Sequence, residues 1–440
     1  MTDLYSWPWI EAQAAETAAV WNACAASTFP AAPRFTPEEQ TRREAAYDEA
    51  LQAVERELKT PRLHRTHAAR RETRRRVLSA FARFSSVALD LPDDAIHLLT
   101  QDFLPAGTQL AQWARRFDPA LSMPDIIQAC RNAWTACGLQ PLLGVPLRLT
   151  PSILGYSLLY PYSDNYLDTE GVSPESKLRF SRRFRERLRG ASDLPADERE
   201  SALWTLVELI EAQYPRSRFP DVFACLLAIH QAQENSLAQL GSHASDDDLL
   251  RMSCAKGGSS VLADGCLARG RLTHAESRFS FDWGVLLQLG DDLQDVREDL
   301  ARGSVTLFSE AAARGQRLDE RVLQLLAFSE HVGSQMRTFP GSATFKDLLR
   351  MSWRSLILMA VAESHQHFSP GFLAEAERLS PFRFAFLRER RELLAGRQGL
   401  YTLLFDAFVE SDRDPLPASS LPATHPDLPA SRFVTEIPSA

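Results

Sequence analysis

Lysine is scarce in this chain: Lys59, Lys177, Lys256 and Lys346 are four of its 49 basic residues, and the rest are arginine. That bias reflects base composition more than function. Strand signals are thin as well, with few β-branched residues and no Asn-Gly or Asp-Gly turn between alternating apolar runs. The six cysteines (Cys24, Cys130, Cys137, Cys225, Cys254, Cys266) show neither metal-ligand nor disulfide-framework spacing, and read as small buried hydrophobes in a reducing compartment. No apolar run approaches the 18 residues of a spanning helix. Residues 1–32 lack a basic stretch followed by an apolar one, so no signal peptide is expected. A cytoplasmic location is the resulting expectation. The net charge of −8 argues against general nucleic-acid binding, which needs a basic surface. His230 and His274 flank no His-Asp pattern, which disfavours a metal phosphohydrolase of that type.

Helical periodicity fills most of the 440 residues, and the expected class is all-α. The pattern predicts helices over 8–27, 37–59, 61–90, 108–117, 123–137, 150–168, 173–190, 198–213, 219–240, 246–269, 273–300, 317–338, 344–366 and 382–410, with prolines and glycines falling between them. Ser173-Pro174 reads as an N-cap followed by proline at the first helical position. No repeat of 30–45 residues recurs, which argues against a solenoid. Residues 1–140 carry no identifiable chemistry and are expected to pack as helices on a site-bearing unit over 141–410. Residues 411–440, rich in Pro, Ser and Ala, read as a disordered tail. The arginine run from Arg62 to Arg76 reads as a solvated helix face, with Glu72 among the arginines.

The most informative stretch is Gly290-Asp291-Asp292-Leu293-Gln294-Asp295-Val296-Arg297-Glu298-Asp299. At about 100° per residue, Asp291, Asp292, Asp295 and Asp299 share roughly a quadrant of one helix. Such carboxylates repel and disfavour the helix, and a cation between them removes that penalty. Oxygen-only ligands suit Mg²⁺. Gln288, Gly284 and Phe281 continue the same face upstream, which suggests the mouth and wall of a pocket. A solvated acidic face is the plainer alternative.

Two more features join this cluster. Asp164 and Asp168, in Asp164-Asn165-Tyr166-Leu167-Asp168, are four residues apart on one helix face. Alone that spacing is weak; across from the later cluster it could help hold several Mg²⁺ ions around a diphosphate. Lys256 stands among small and apolar residues, where a lysine is costly unless it meets an anion or snorkels to solvent. Gly257-Gly258 is expected to loosen or break the helix there, while Ser253 and Ser260 share the lysine's face. Gln231, Gln233, Glu234 and Asn235 form a polar patch with no assigned role.

The order Asp164-Asn165-Tyr166-Leu167-Asp168, then Lys256, then Gln288-Leu289-Gly290-Asp291-Asp292-Leu293-Gln294-Asp295 resembles the class I isoprenoid synthase superfamily. Its trans-prenyltransferases carry DDxxD, a lysine on a kinked helix, then FQxxDDxxD. The second DDxxD is complete here, and Asn165 replaces the second Asp of the first. The resemblance covers about 150–310. It implies a single large helical bundle around a central cavity, about three Mg²⁺ ions bound with diphosphate, and a prenyl diphosphate substrate. Asp164 and Asp168 would ligate metal from one side, Asp291 and Asp295 from the other, with Asp292 and Asp299 as further ligands. Lys256 would hold the diphosphate, with Asn165, Gln288 and Arg297 nearby, and Phe281 would line the cavity. No GKxxRP-like patch, RRG or NSE-type triad is present, so the best match is the class IB terpene synthases related to prenyltransferases and squalene synthases. An elongating or head-to-head prenyltransferase, or a catalytically silent prenyl diphosphate-binding protein, is the alternative; a homodimer is left open.

Overall fold

A computed structural model describes residues 4–25, 27–59, 67–168, 171–238, 245–395, 402 and 408–409. These contain eighteen α-helices and no strand. In order they are α1 (Trp7–Ala23), α2 (Pro37–Leu58), α3 (His67–Leu89) and a short α4 (Asp93–His97), which passes through a π-helical turn (Leu98–Phe103) into α5 (Leu104–Phe117). Next come α6 (Met123–Leu142), α7 (Pro151–Asp168), α8 (Pro174–Arg189), α9 (Glu198–Gln213), α10 (Pro220–Ala238), α11 (Asp246–Arg269) and α12 (His274–Gln294). The last are α13 (Val296–Arg302), α14 (Leu307–Ala313), α15 (Asp319–Gln335), α16 (Ala343–Glu363), α17 (Pro370–Glu377) and α18 (Phe384–Ala395). The all-α class expected from the sequence is the class observed. Residues 411–440 and Arg62 and Arg65 lie outside the described residues.

Local chemistry sets the two helices that matter most. α11 starts at a capping box in which Ser245 and Asp248 satisfy each other's backbone N–H, and Asp246, Asp247 and Asp248 face the positive end of the helix dipole. α12 starts at a second box, Thr273 with Glu276. One long core runs from Tyr5 on the N-terminal side to Phe384, with α1, α5, α6, α7, α9, α10, α11, α12, α15 and α16 contributing. A division at residue 140 would fall inside α6, and α1 is itself in this core. There Tyr5 Oη lies 2.6 Å from Ser277 Oγ, and Thr17 donates to the buried Asp282 of α12 (2.7 Å).

The outer layer is α2 with α3, fastened through charges. Arg43 pairs with Asp90, Arg383 with Glu44, and Arg390 with Asp48 (2.7 Å). On α3, Arg75 and Arg76 both bond Glu72 (2.7 and 2.9 Å), and Arg76 also reaches Glu57 (3.2 Å). This is a solvated, self-paired helix face. All six cysteines are free. Cys225 and Cys266 bring their sulfurs to 3.2 Å, a thiol contact well beyond the disulfide bond length of about 2.05 Å. No described helix is long and apolar enough to cross a membrane.

Candidate functional site on helices α6, α7, α11 and α12

Gly257-Gly258 does not break its helix: α11 runs through both. The glycines instead let α12 approach. A Cβ on Gly257 would lie 2.4 Å from Gln288 Cβ, one on Gly258 would lie 2.4 Å from the Phe281 ring, and one on Gly284 would lie 2.0 Å from the Gly257 carbonyl oxygen. Two sequence expectations are corrected by this contact. The face Phe281–Gly284–Gln288 is a helix–helix seam rather than an open wall, because missing side chains on both helices draw the backbones together. Phe281 is fully buried in that seam and meets Trp9 edge to face (6.2 Å).

The seam brings Lys256 and Ser253 beside the acidic cluster. Asp292 is 6% exposed; Ser253 Oγ donates to its Oδ2 (2.8 Å) and Gln288 Nε2 to its Oδ1 (2.8 Å). Burial pushes its carboxyl up to about 6, against those two bonds and the nearby Lys256 charge. Asp291 differs: its side chain is 55% exposed, yet desolvation still raises it to about 6, opposed by Arg131 and Lys256 and assisted by Asp292 and Asp295. Arg131 of α6 reaches across to Asp291, with Nη2 3.6 Å from Oδ1.

Asp295 is not inside a continuous helix, as the pattern over 273–300 predicted. It is the junction between α12 and α13, with φ −90° and ψ 3°. The hydrogen-bond ladder nevertheless carries through, Asp295 N–H bonding the Asp291 carbonyl (2.9 Å) and Asp299 N–H the Asp295 carbonyl (2.8 Å). The three side chains therefore still rise one turn apart. Desolvation raises Asp295, with Glu298 adding to it. Desolvation and then Asp295 raise Asp299 to about 6. Arg297 is exposed, and its charge acts on Glu363 of α16. Glu363 pairs with Arg391 of α18, and both lie near enough to act on Asp295 or be acted on by it.

The first acidic motif lies on the last turns of α7. The backbones of Asp164 and Asp168 are part of that helix, while their side chains lie outside the described residues. Which end of the bundle they occupy follows from register. Ser152 Oγ donates to the Leu267 carbonyl (3.0 Å), and one turn later Tyr156 Oη donates to that of Ser260 (3.4 Å), so α7 runs antiparallel to α11. Along α12 the contacts run from Gly265–Ser280 to Gly257–Gly284 to Ser253–Asp292, so α12 is also antiparallel to α11. The C-terminal ends of α7 and α12, each acidic, therefore share the end of the bundle where α11 begins. Asn165 is described: its Nδ2 donates to Asp125 Oδ1 (2.8 Å) in the first turn of α6. Asp125 and Arg131 are six residues apart, about 9 Å along that helix, so the two motifs touch one helix less than two turns apart.

Arg131 and Asp125 had no sequence signal, since neither belongs to a spaced motif and only packing delivers them. Among the described residues no three His, Cys, Asp or Glu side chains converge to hold a bare cation. The donors that suit one are Asp291 and Asp295, oxygen ligands one turn apart and open to solvent; the Asp292 oxygens are already engaged. Arg131 offsets part of the rise at both carboxyls, with Lys256 acting on Asp291 and Arg302 and Arg391 on Asp295, and the shifts stay upward because desolvation outweighs these charges.

The Gln231–Asn235 patch has a structural role elsewhere. Glu234 takes a bond from Ser181 and pairs with Arg185, while His230 Nε2 lies 3.2 Å from Ser181 Oγ, which clamps α10 to α8. A shallow dent lined by Arg183, Arg187, Ala191, Asp193 and Trp204 belongs to α8 and α9, away from the acidic end. The chain matches no protein-family model, no curated protein and no solved structure, so its function has to be read from its own geometry.

Proposed function

We propose that the chain is a class I terpene synthase that ionises a linear prenyl diphosphate. The observation that carries this reading is the meeting of Asn165 and Asp291 with α6, at Asp125 and Arg131, beside Lys256. It supports one site at this end of the bundle, where the acidic ends of α7 and α12 meet two cations, Lys256 and Arg131.

In this reading Lys256 and Arg131 bind the diphosphate oxygens, and Asp292, fixed by Ser253 and Gln288, holds the turn that orients Asp291. Mg²⁺ held by Asp291 and Asp295, with Asp164 and Asp168 opposite, would stabilise negative charge on the leaving group. The allylic C–O bond breaks with its electron pair going to the diphosphate, and the allylic cation cyclises or is quenched. The same reading takes the enzyme as cytoplasmic and its substrate as a free prenyl diphosphate.

The test is incubation of the purified chain with Mg²⁺ and allylic diphosphates of increasing length, with and without isopentenyl diphosphate, followed by mass spectrometry. Hydrocarbon or alcohol formed without isopentenyl diphosphate supports a synthase. Products that require isopentenyl diphosphate would make it a prenyltransferase, and diphosphate binding without turnover would leave a silent binding protein.

A further inference from the structure

Two aspartates at the acidic end of the bundle carry the same kinds of partner. Asp292 on α12 accepts a serine hydroxyl on one oxygen (Ser253, 2.8 Å) and a side-chain amide on the other (Gln288, 2.8 Å). Asp125 on α6 does likewise: the Ser122 hydroxyl donates to its Oδ2 (2.5 Å) and the Asn165 amide to its Oδ1 (2.8 Å). Ser122 is the N-cap of α6 and also accepts the Asp125 backbone N–H (3.3 Å). The carboxylate is thereby tied to its own helix as well as to α7.

Each of these aspartates adjoins an acidic motif. Asp292 follows Asp291 in the chain, and the partner of Asp125, Asn165, stands between Asp164 and Asp168. A second tie lies one turn earlier on α7. Tyr162, which is buried, donates its hydroxyl to Asp118 Oδ2 (2.7 Å), while Asp118 Oδ1 takes the Ala120 backbone N–H (2.8 Å) in the loop between α5 and α6. Tyr162 and Asn165 are three residues apart and so share one side of the helix. The contact also accounts for an amide at position 165. An ionised carboxylate only accepts hydrogen bonds, so its partner has to donate. A second carboxylate at the length of this bond would meet Asp125 as a like charge, and each would oppose the ionisation of the other.

We propose that Asp125 is a positioning residue for the first acidic motif. Through the Asn165 amide it fixes the closing turns of α7, and with them the placing of Asp164 and Asp168 for metal, as Asp292 fixes the turn of Asp291. The inference rests on the ionisation reading above and names what sets one half of its metal site. Asn165 and Asp125 act as a matched pair, so the amide is required because the carboxylate is there.

The test compares wild type with Asn165→Asp and with the reciprocal exchange Asp125→Asn/Asn165→Asp, which turns the bond around and keeps the net charge. Each full chain is titrated with inorganic pyrophosphate at fixed Mg²⁺ by calorimetry, well below its own melting temperature. Asn165→Asp should bind about tenfold more weakly, the scale of one lost hydrogen bond to a charged group. The exchange should return the dissociation constant close to that of wild type. A merely structural pair would shift the melting temperatures and leave the dissociation constants of the folded proteins alike. Three results overturn the role of Asp125 and leave the ionisation reading standing. Asn165→Asp binds as tightly as wild type, or it binds more tightly, as an added metal ligand would make it, or the exchange stays as weak as Asn165→Asp alone. A wild type that binds no pyrophosphate with Mg²⁺ defeats the ionisation reading, and the role of Asp125 with it.

Discussion

Gly257 and Gly284 face each other so closely that the carbonyl oxygen of one would lie 2.0 Å from a Cβ on the other. This contact sets the spacing of α11 and α12, and with it the reach of Ser253 and Lys256 to the acidic turn. It also explains why a lysine can sit beside Asp291 and Asp292 on a helix that is otherwise nearly all core.

Gly284→Ala is therefore expected to force the helices apart and cost about 1–3 kcal/mol, the usual penalty for overpacking a core. Gly290 is the control: nothing lies within 4 Å of a Cβ there, so Gly290→Ala should be neutral or stabilise by up to ~1 kcal/mol through helix propensity. Denaturant midpoints of the two variants measure both effects. Equal midpoints would mean that the helices do not meet as closely as described.

Removing the Ser253 hydroxyl leaves one oxygen of buried Asp292 without its donor. Ser253→Ala should cost about 1–3 kcal/mol in stability, and it should weaken Mg²⁺-dependent diphosphate binding, because the turn bearing Asp291 loses an anchor. A variant with unchanged binding by calorimetry would remove Asp292 from any role in orienting the site.

Arg131 supplies a charge that pairs with Asp291 and also acts on Asp295. If it binds diphosphate, Arg131→Gln should weaken pyrophosphate binding in the presence of Mg²⁺ about tenfold, or ~1.4 kcal/mol, with little effect on stability because the pair is largely exposed. A tighter or unchanged dissociation constant would return Arg131 to a surface role.

The pH dependence has a definite sign. Asp291, Asp292 and Asp299 rise from 3.8 to about 6 on folding, so the folded state favours their protonated forms. That stabilisation is complete below about 3.8 and is lost as pH rises through about 6. Without metal, these groups make the protein less stable at pH 7.5 than at pH 5. With Mg²⁺ and pyrophosphate the gain in melting temperature should be large at pH 7.5 and small at pH 5, where protonated carboxyls compete with the metal. A gain that does not depend on pH would exclude Asp291 as a metal ligand.

The helices were readable because their signals are local. Ser173 and Pro174 mark the start of α8 as the sequence predicts, and α9 and α11 match the periodicity residue for residue. Short elements were missed: α4, α14 and α17 span eight residues or fewer, too little for a period to show. The candidate site divides the same way. The acidic spacings were visible in the sequence, but the meaning of Gly257-Gly258 was not, because two adjacent glycines equally describe a loosened helix and a close crossing, and only the partner Gly284 decides between them. Arg131 and Asp125 reach their places through the packing of α6, which no spacing encodes.

The most direct test of the central claim is the melting temperature of the protein with Mg²⁺ plus pyrophosphate, beside Asp291→Ala and Lys256→Ala. Ligand at about 100 times its dissociation constant adds about 2.7 kcal/mol, so wild type should gain several degrees with both additives and little with either alone, and both variants should lose the gain. A wild type that melts at the same temperature with and without them, or an Asp291→Ala variant that keeps the full gain, would contradict a metal–diphosphate site at this end of the bundle.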